Sequence, residues 1–139
     1  MNIFWKSVAS LAFACTVACG GPLKYQVASG DKAKGADAAI VADVKSAEHQ
    51  TVLEIKVKNL APPGRITEGA TQFTVWGRKS SSSPWARIGN LTYDEGARDG
   101  KFNGTYPEIE FDLEISVEKE GDPASPSSDI VFSQHIGPA

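Results

Sequence analysis

Five carboxylates crowd one short segment: Glu108, Glu110, Asp112, Glu114 and Glu118 alternate with Ile109, Phe111, Leu113, Ile115 and Val117. Carboxylates at this density raise two chemistries, a divalent-cation site and a glycosidase-type acid/base pair. On a strand, alternate residues stand in a row about 6.6 Å apart. Such a row does not surround a cation with the roughly six to eight oxygens that Ca²⁺ takes. A retaining glycosidase needs two carboxyls about 5–5.5 Å apart across a cleft, and nothing in the sequence marks a cleft. The stripe is therefore expected to be a solvated strand face, neutralised by cross-strand lysines such as Lys56 and Lys58.

The remaining chemistry-bearing residues are sparse. His49 and His135 are the two histidines, and no HxH or HExxH spacing joins them to other ligands. No G-x-S-x-G elbow marks a nucleophilic serine. The acidic segment Asp94-Glu95-Gly96-Ala97-Arg98-Asp99-Gly100 lacks the ligand order of an EF-hand loop and reads as a turn. Trp76, Trp85 and Tyr93 are the aromatic candidates for stacking a sugar ring. Trp76 ends an apolar strand and is expected to pack on the core, whereas Trp85 follows a serine-rich loop and is the better placed of the three. Catalytic, metal-binding and cofactor-binding residues are expected to be absent.

The elements that position these residues are strands. Ala38–Val44 is a short apolar run, and Thr51–Lys58 alternates Leu53, Ile55 and Val57 with Glu54, Lys56 and Lys58. This period of two marks a half-buried strand. Ala61-Pro62-Pro63-Gly64 is expected to form a rigid turn that excludes helix and sheet. Thr71–Trp76 is the next strand, Lys79–Pro84 a loop tip, and Trp85–Leu91 the returning strand. A short strand is expected around Phe102, the alternating segment Glu108–Glu118 follows as the longest, and Ile130–Ser133 closes the series. No segment after residue 19 carries a helical period. The fold class is accordingly all-β, an antiparallel immunoglobulin-like β-sandwich of about seven strands.

The chain has 139 residues, with 41% hydrophobic and 22% charged residues, enough for one globular domain. Fourteen basic residues against 17 acidic ones give a net charge of −3, which argues against a nucleic-acid partner, since such proteins release counterions with a basic surplus. At the start, Lys6 precedes an apolar run of 11 residues from Val8 to Ala18. A membrane-spanning helix needs roughly 20 such residues, so the run reads as a secretory signal. Its end, Thr16-Val17-Ala18-Cys19, resembles a bacterial lipobox, with Thr16 where Leu is commonest. That resemblance implies a signal peptide over residues 1–18 and a diacylglyceryl group on Cys19. Gly20 after the cysteine favours the outer membrane. Cys15 would leave with the signal and Cys19 carry lipid, so the mature chain would hold no thiol for a disulfide or a nucleophile. Residues 19–34 are polar and glycine-rich and are expected to be the lipidated cysteine and a flexible tether. Residues 35–139 are expected to be the sandwich.

Three stretches carry a second resemblance. Asn59-Leu60-Ala61-Pro62-Pro63 precedes the Thr71–Trp76 strand; Ile88-Gly89-Asn90-Leu91 makes a short return strand; and Phe111–Glu118 is followed by Pro126-Ser127-Ser128-Asp129-Ile130-Val131. Together these resemble the C-terminal extracytoplasmic domain of anti-sigma-K factors, over roughly Gly35 to Ile136. The resemblance implies a β-sandwich outside the cytoplasm and brings no catalytic residues. That family places a sigma-binding domain and a transmembrane helix before this module, whereas here a lipoprotein-like signal precedes it, so anti-sigma activity is not implied. The sequence leads to a membrane-anchored, non-catalytic envelope lipoprotein, a binding or scaffolding β-sandwich module with a protein or polysaccharide of the envelope as its partner, with a carbohydrate-binding module as the alternative and a small hydrolase third.

Overall fold

The computed structural model describes residues 21–138. Residues 1–18, read as a signal peptide, and Cys19 lie outside the described residues. The chain forms nine strands: β1 (Leu23–Ala28), β2 (Asp37–Lys45), β3 (Gln50–Lys58), β4 (Gln72–Arg78), β5 (Ala86–Asn90), β6 (Thr92–Asp94), β7 (Asp99–Tyr106), β8 (Phe111–Glu118) and β9 (Ile130–Ile136). They build two antiparallel sheets, in the orders β1-β2-β3-β7-β6 and β5-β4-β8-β9. The all-β sandwich is as expected, with nine strands where about seven were read.

Side-chain alternation decides which faces meet. In β3, Thr51, Leu53, Ile55 and Val57 are buried while Val52, Lys56 and Lys58 are exposed. In β8, Phe111, Leu113, Ile115 and Val117 enter the same core, opposite Phe73 and Val75 of β4. Burial of such side chains contributes about 1.5–3 kcal/mol each. At one margin the sheets approach closely over glycine. A Cβ on Gly89 of β5 would lie 2.7 Å from the Phe102 ring, and one on Gly104 of β7 would lie 2.6 Å from it. The ring therefore occupies space that only two bare backbones leave open. Leu91 carries the chain from one sheet to the other, its N–H donating to Phe73 O at 2.9 Å.

Two expectations are corrected here. The segment read as a tether is built into the domain: β1 pairs with β2 from Leu23↔Ala42 to Ala28↔Asp37. Ala33 and Ala36 join the core, and Gly30 N–H donates to Val131 O. Leu23, Tyr25 and Val27 alternate with polar or small residues, but three apolar side chains in a six-residue strand give too short a period to recognise without the partner edge. The Pro62-Pro63 segment is also not free of helix. Pro63–Ile66 makes one helical turn, α1, with Pro63 at its first positions, where the missing N–H has no intrahelical partner to lose.

Candidate functional site

Alternation that sends Phe73 and Val75 inward turns Thr74, Trp76 and Arg78 outward on β4. Register places them beside Ser116, Glu114 and Asp112 of β8, and places Asp112 and Glu114 beside His135 and Ser133 of β9. This outer face of the second sheet collects the polar chemistry of the chain, and its two halves behave differently.

The upper half is dry. Trp76 is fully buried, yet it stands outside the main core cluster. Its Nε1–H donates to Ser116 Oγ at 2.8 Å. The Ser116 hydroxyl donates to Glu118 Oε2, and Ser127 N–H donates to the same oxygen at 2.8 Å. The loop 119–129 folds back over this end: Ser127 Oγ–H donates to Val117 O at 2.9 Å, and Gln72 Nε2–H donates to Lys119 O and Gly121 O. Glu118 is consequently only 6% exposed. The expected solvated stripe is thus corrected. Glu108 and Glu110 precede β8 instead of lying on it, Glu118 is covered, and Lys56 and Lys58 belong to β3 in the opposite sheet. A period of two identifies the face but not what lies over it.

The lower half is an open groove of about 270 Å³, lined by Arg78, Trp85, Asp112, Glu114, Ser133 and His135 among others. The Arg78 guanidinium lies 4.3 Å from the Trp85 ring centre, a cation–π stack, while its Nε–H donates to Asp112 Oδ2 at 3.2 Å. His135 bridges two carboxylates, with Nδ1 2.9 Å from Asp112 Oδ1 and Nε2 2.9 Å from Glu110 Oε2. Both nitrogens donate only in the imidazolium form. The hydrogen bonds to Asp112 and then Glu110 raise the His135 pKa. Reciprocally, the bond from His135, and after it Arg78, holds the Asp112 carboxyl below its ordinary range. Burial pushes the Glu114 carboxyl up, against the pull of Arg78. A second depression continues from Asp112 and His135 past Glu110 to His49 and Lys79. There His49 Nε2 lies 3.5 Å from a Glu108 carboxylate oxygen, and Thr51 Oγ1–H donates to Glu108 O, fixing the turn before β8.

The three aromatic candidates do not share a platform. Trp76 is buried, but on the outward face of its strand and outside the core cluster on which it was expected to pack. Tyr93 belongs to β6 in the first sheet, where its hydroxyl donates to Leu60 O and its ring packs 5.3 Å from Phe73. Its hydroxyl pKa is raised by burial. Trp85 alone lines the groove. Asp94 caps its own turn by accepting from Gly96 N–H and Ala97 N–H. Among the described residues no group of three or more His, Cys, Asp or Glu side chains is placed to hold a metal ion.

Sequence reasoning missed Arg78, His135 and Ser116 as members of one surface. Arg78 was within reach, since it follows Trp76 at strand period. His135 was not, because its partners lie 23 and 25 residues earlier and meet it only through the β8–β9 register. No family model matches the chain, and no curated protein or solved structure is found to match it.

Proposed function

We propose that the protein is a lipid-anchored, non-catalytic binding module of a bacterial cell envelope, attached through Cys19, and that its ligand is an envelope glycan held in the Trp85 groove. The observation that carries the reading is the groove itself. An aromatic ring is fixed beside a guanidinium and carboxylates whose orientations are set by neighbouring strands. Glycans present apolar C–H faces and vicinal hydroxyl pairs, which suit a ring and planar polar groups. Rigid, already ordered side chains reduce the entropy lost on binding.

Binding is favoured over catalysis by the state of His135. With a carboxylate against each ring nitrogen, it has no nitrogen left to accept a substrate proton. Asp112 is likewise engaged at both oxygens. Attachment at Cys19 rests on the lipobox resemblance, and with it the outer-membrane address given by Gly20.

The test is binding of the purified domain to isolated peptidoglycan and lipopolysaccharide glycans, with Trp85→Ala and Tyr93→Phe compared. Trp85→Ala is expected to weaken binding about tenfold, near 1.4 kcal/mol, while Tyr93→Phe leaves it unchanged. Equal affinity of wild type and Trp85→Ala, or no glycan retained by either, overturns the assignment of this groove.

A further inference from the structure

The start of β1 leaves very little chain between the domain and the lipidated residue. Only Gly20, Gly21 and Pro22 separate Cys19 from Leu23. From Cys19 to Leu23 the chain spans about 14 Å at most, whereas a tether reaching to Lys34 would span about 54 Å. The nine residues of β2 are about 30 Å long. A leash this much shorter than the strands does not let the domain turn over, so the end of the sandwich where β1 begins stays on the bilayer side.

That end carries a matching surface. Pro22 is exposed and lies in a shallow groove with Val41, Asp43, Val52, Glu54, Asn103 and Thr105, on the outer face of the first sheet. Val52, at 38%, is the exposed large hydrophobic side chain among the described residues. It sits beside Asp43 and Thr105 in register, and Val41 stands across from Lys24. Pro22, Val41 and Val52 coincide with the point where the leash enters, the two carboxylates of the groove are paired with lysines, Asp43 with Lys45 and Glu54 with Lys56, and Lys24 offers a cation to a phosphate headgroup beside them.

We infer that this rim, Pro22, Val41 and Val52 flanked by Lys24, docks on the membrane that holds the lipid, so that the sandwich stands with the loop 119–129 at the far end. The inference rests on the lipid attachment at Cys19 proposed above. It sets an orientation that a long tether would not impose. The β2–β3 turn and the segment Glu108–Glu110 face the bilayer, and the Trp85 groove opens to the side, near the membrane.

The mature chain offers no other thiol, so a single introduced cysteine reports one position. Lipidated full-length protein carrying Val52→Cys or Ser125→Cys is labelled with an environment-sensitive fluorophore and reconstituted into phosphatidylethanolamine–phosphatidylglycerol vesicles containing a nitroxide-labelled phospholipid. Both variants replace exposed residues, and matching circular dichroism checks the fold. The label on Val52→Cys is expected to be quenched several-fold more than the label on Ser125→Cys. Equal quenching at the two positions in protein that carries palmitate overturns the orientation and leaves the anchor standing. Wild-type protein that incorporates no labelled palmitate, or Cys19→Ser protein that incorporates as much, overturns the anchor and the orientation together.

Discussion

Replacing Ser116 by alanine separates a wet strand face from a dry one. By sequence alone Ser116 belongs to the exposed side of an acidic strand, and surface substitutions of that kind change stability by less than about 0.5 kcal/mol. In the structure it is fully buried between the Trp76 indole and the Glu118 carboxylate. Ser116→Ala strands the buried Trp76 N–H, at about 1–3 kcal/mol, and removes one of the two hydrogen-bond donors to Glu118, a charge-assisted bond of about 1.5–3 kcal/mol. Partial relaxation of the loop 119–129 to admit water offsets some of this, and about 2–4 kcal/mol is expected. Domains of this size hold only about 5–15 kcal/mol in total. Urea unfolding followed by far-UV circular dichroism reads the loss as a lower midpoint at unchanged slope. Adding Trp76→Phe to Ser116→Ala removes the orphaned donor, so the pair is expected to cost less than the sum of the two single changes. A loss below about 0.5 kcal/mol for Ser116→Ala, or strict additivity of the pair, would refute the account of a covered network.

Two further outcomes are expected. The raised pKa of His135 means that its bridge stabilises the fold fully below its unfolded value, about 6.5, and that this contribution fades as pH rises through the higher folded value. NMR titration should therefore show the His135 pKa falling toward the ordinary range in Asp112→Asn, and an unchanged value would mean the Asp112 contact is not formed in solution. Gly104→Ala, which drives a Cβ into the Phe102 ring, is expected to cost about 1–3 kcal/mol by overpacking; Phe102→Leu in the same chain should recover part of it, and a Gly104→Ala protein as stable as wild type would show that the ring moves aside freely.

The strands that announced themselves did so through long, strict alternation. Thr51–Lys58 and Phe111–Glu118 each keep period two for a full strand, and the apolar positions that alternation marks are all buried, although in β8 Ser116 and Glu118 on the other face are buried as well. β1 and β6 were hidden for a physical reason. Six and three residues hold too few periods to stand out, and what makes each a strand is a neighbouring edge with unsatisfied hydrogen bonds. Residues 22–34 looked like a tether because glycine and polar residues dominate locally, whereas their order comes from β2 and from the backbone of Val131.

The candidate site divides along the same line. Trp85 was legible as the aromatic residue after a serine-rich loop. Its surroundings were not, since Arg78, Asp112 and His135 come from three strands whose register is a property of the assembled sheet.

By itself the sequence determined the fold class, the apolar faces of β3 and β8 and the chemical identity of every charged group, because side-chain period and residue type are local properties of the chain. Tertiary structure alone decided that Glu118 is buried beneath a loop, that His135 lies between Glu110 and Asp112, and that β1 brings the domain within three residues of Cys19. Each of these depends on pairing between segments distant in sequence, and the hydrogen bonds and excluded water that give a group its environment exist only once those segments meet.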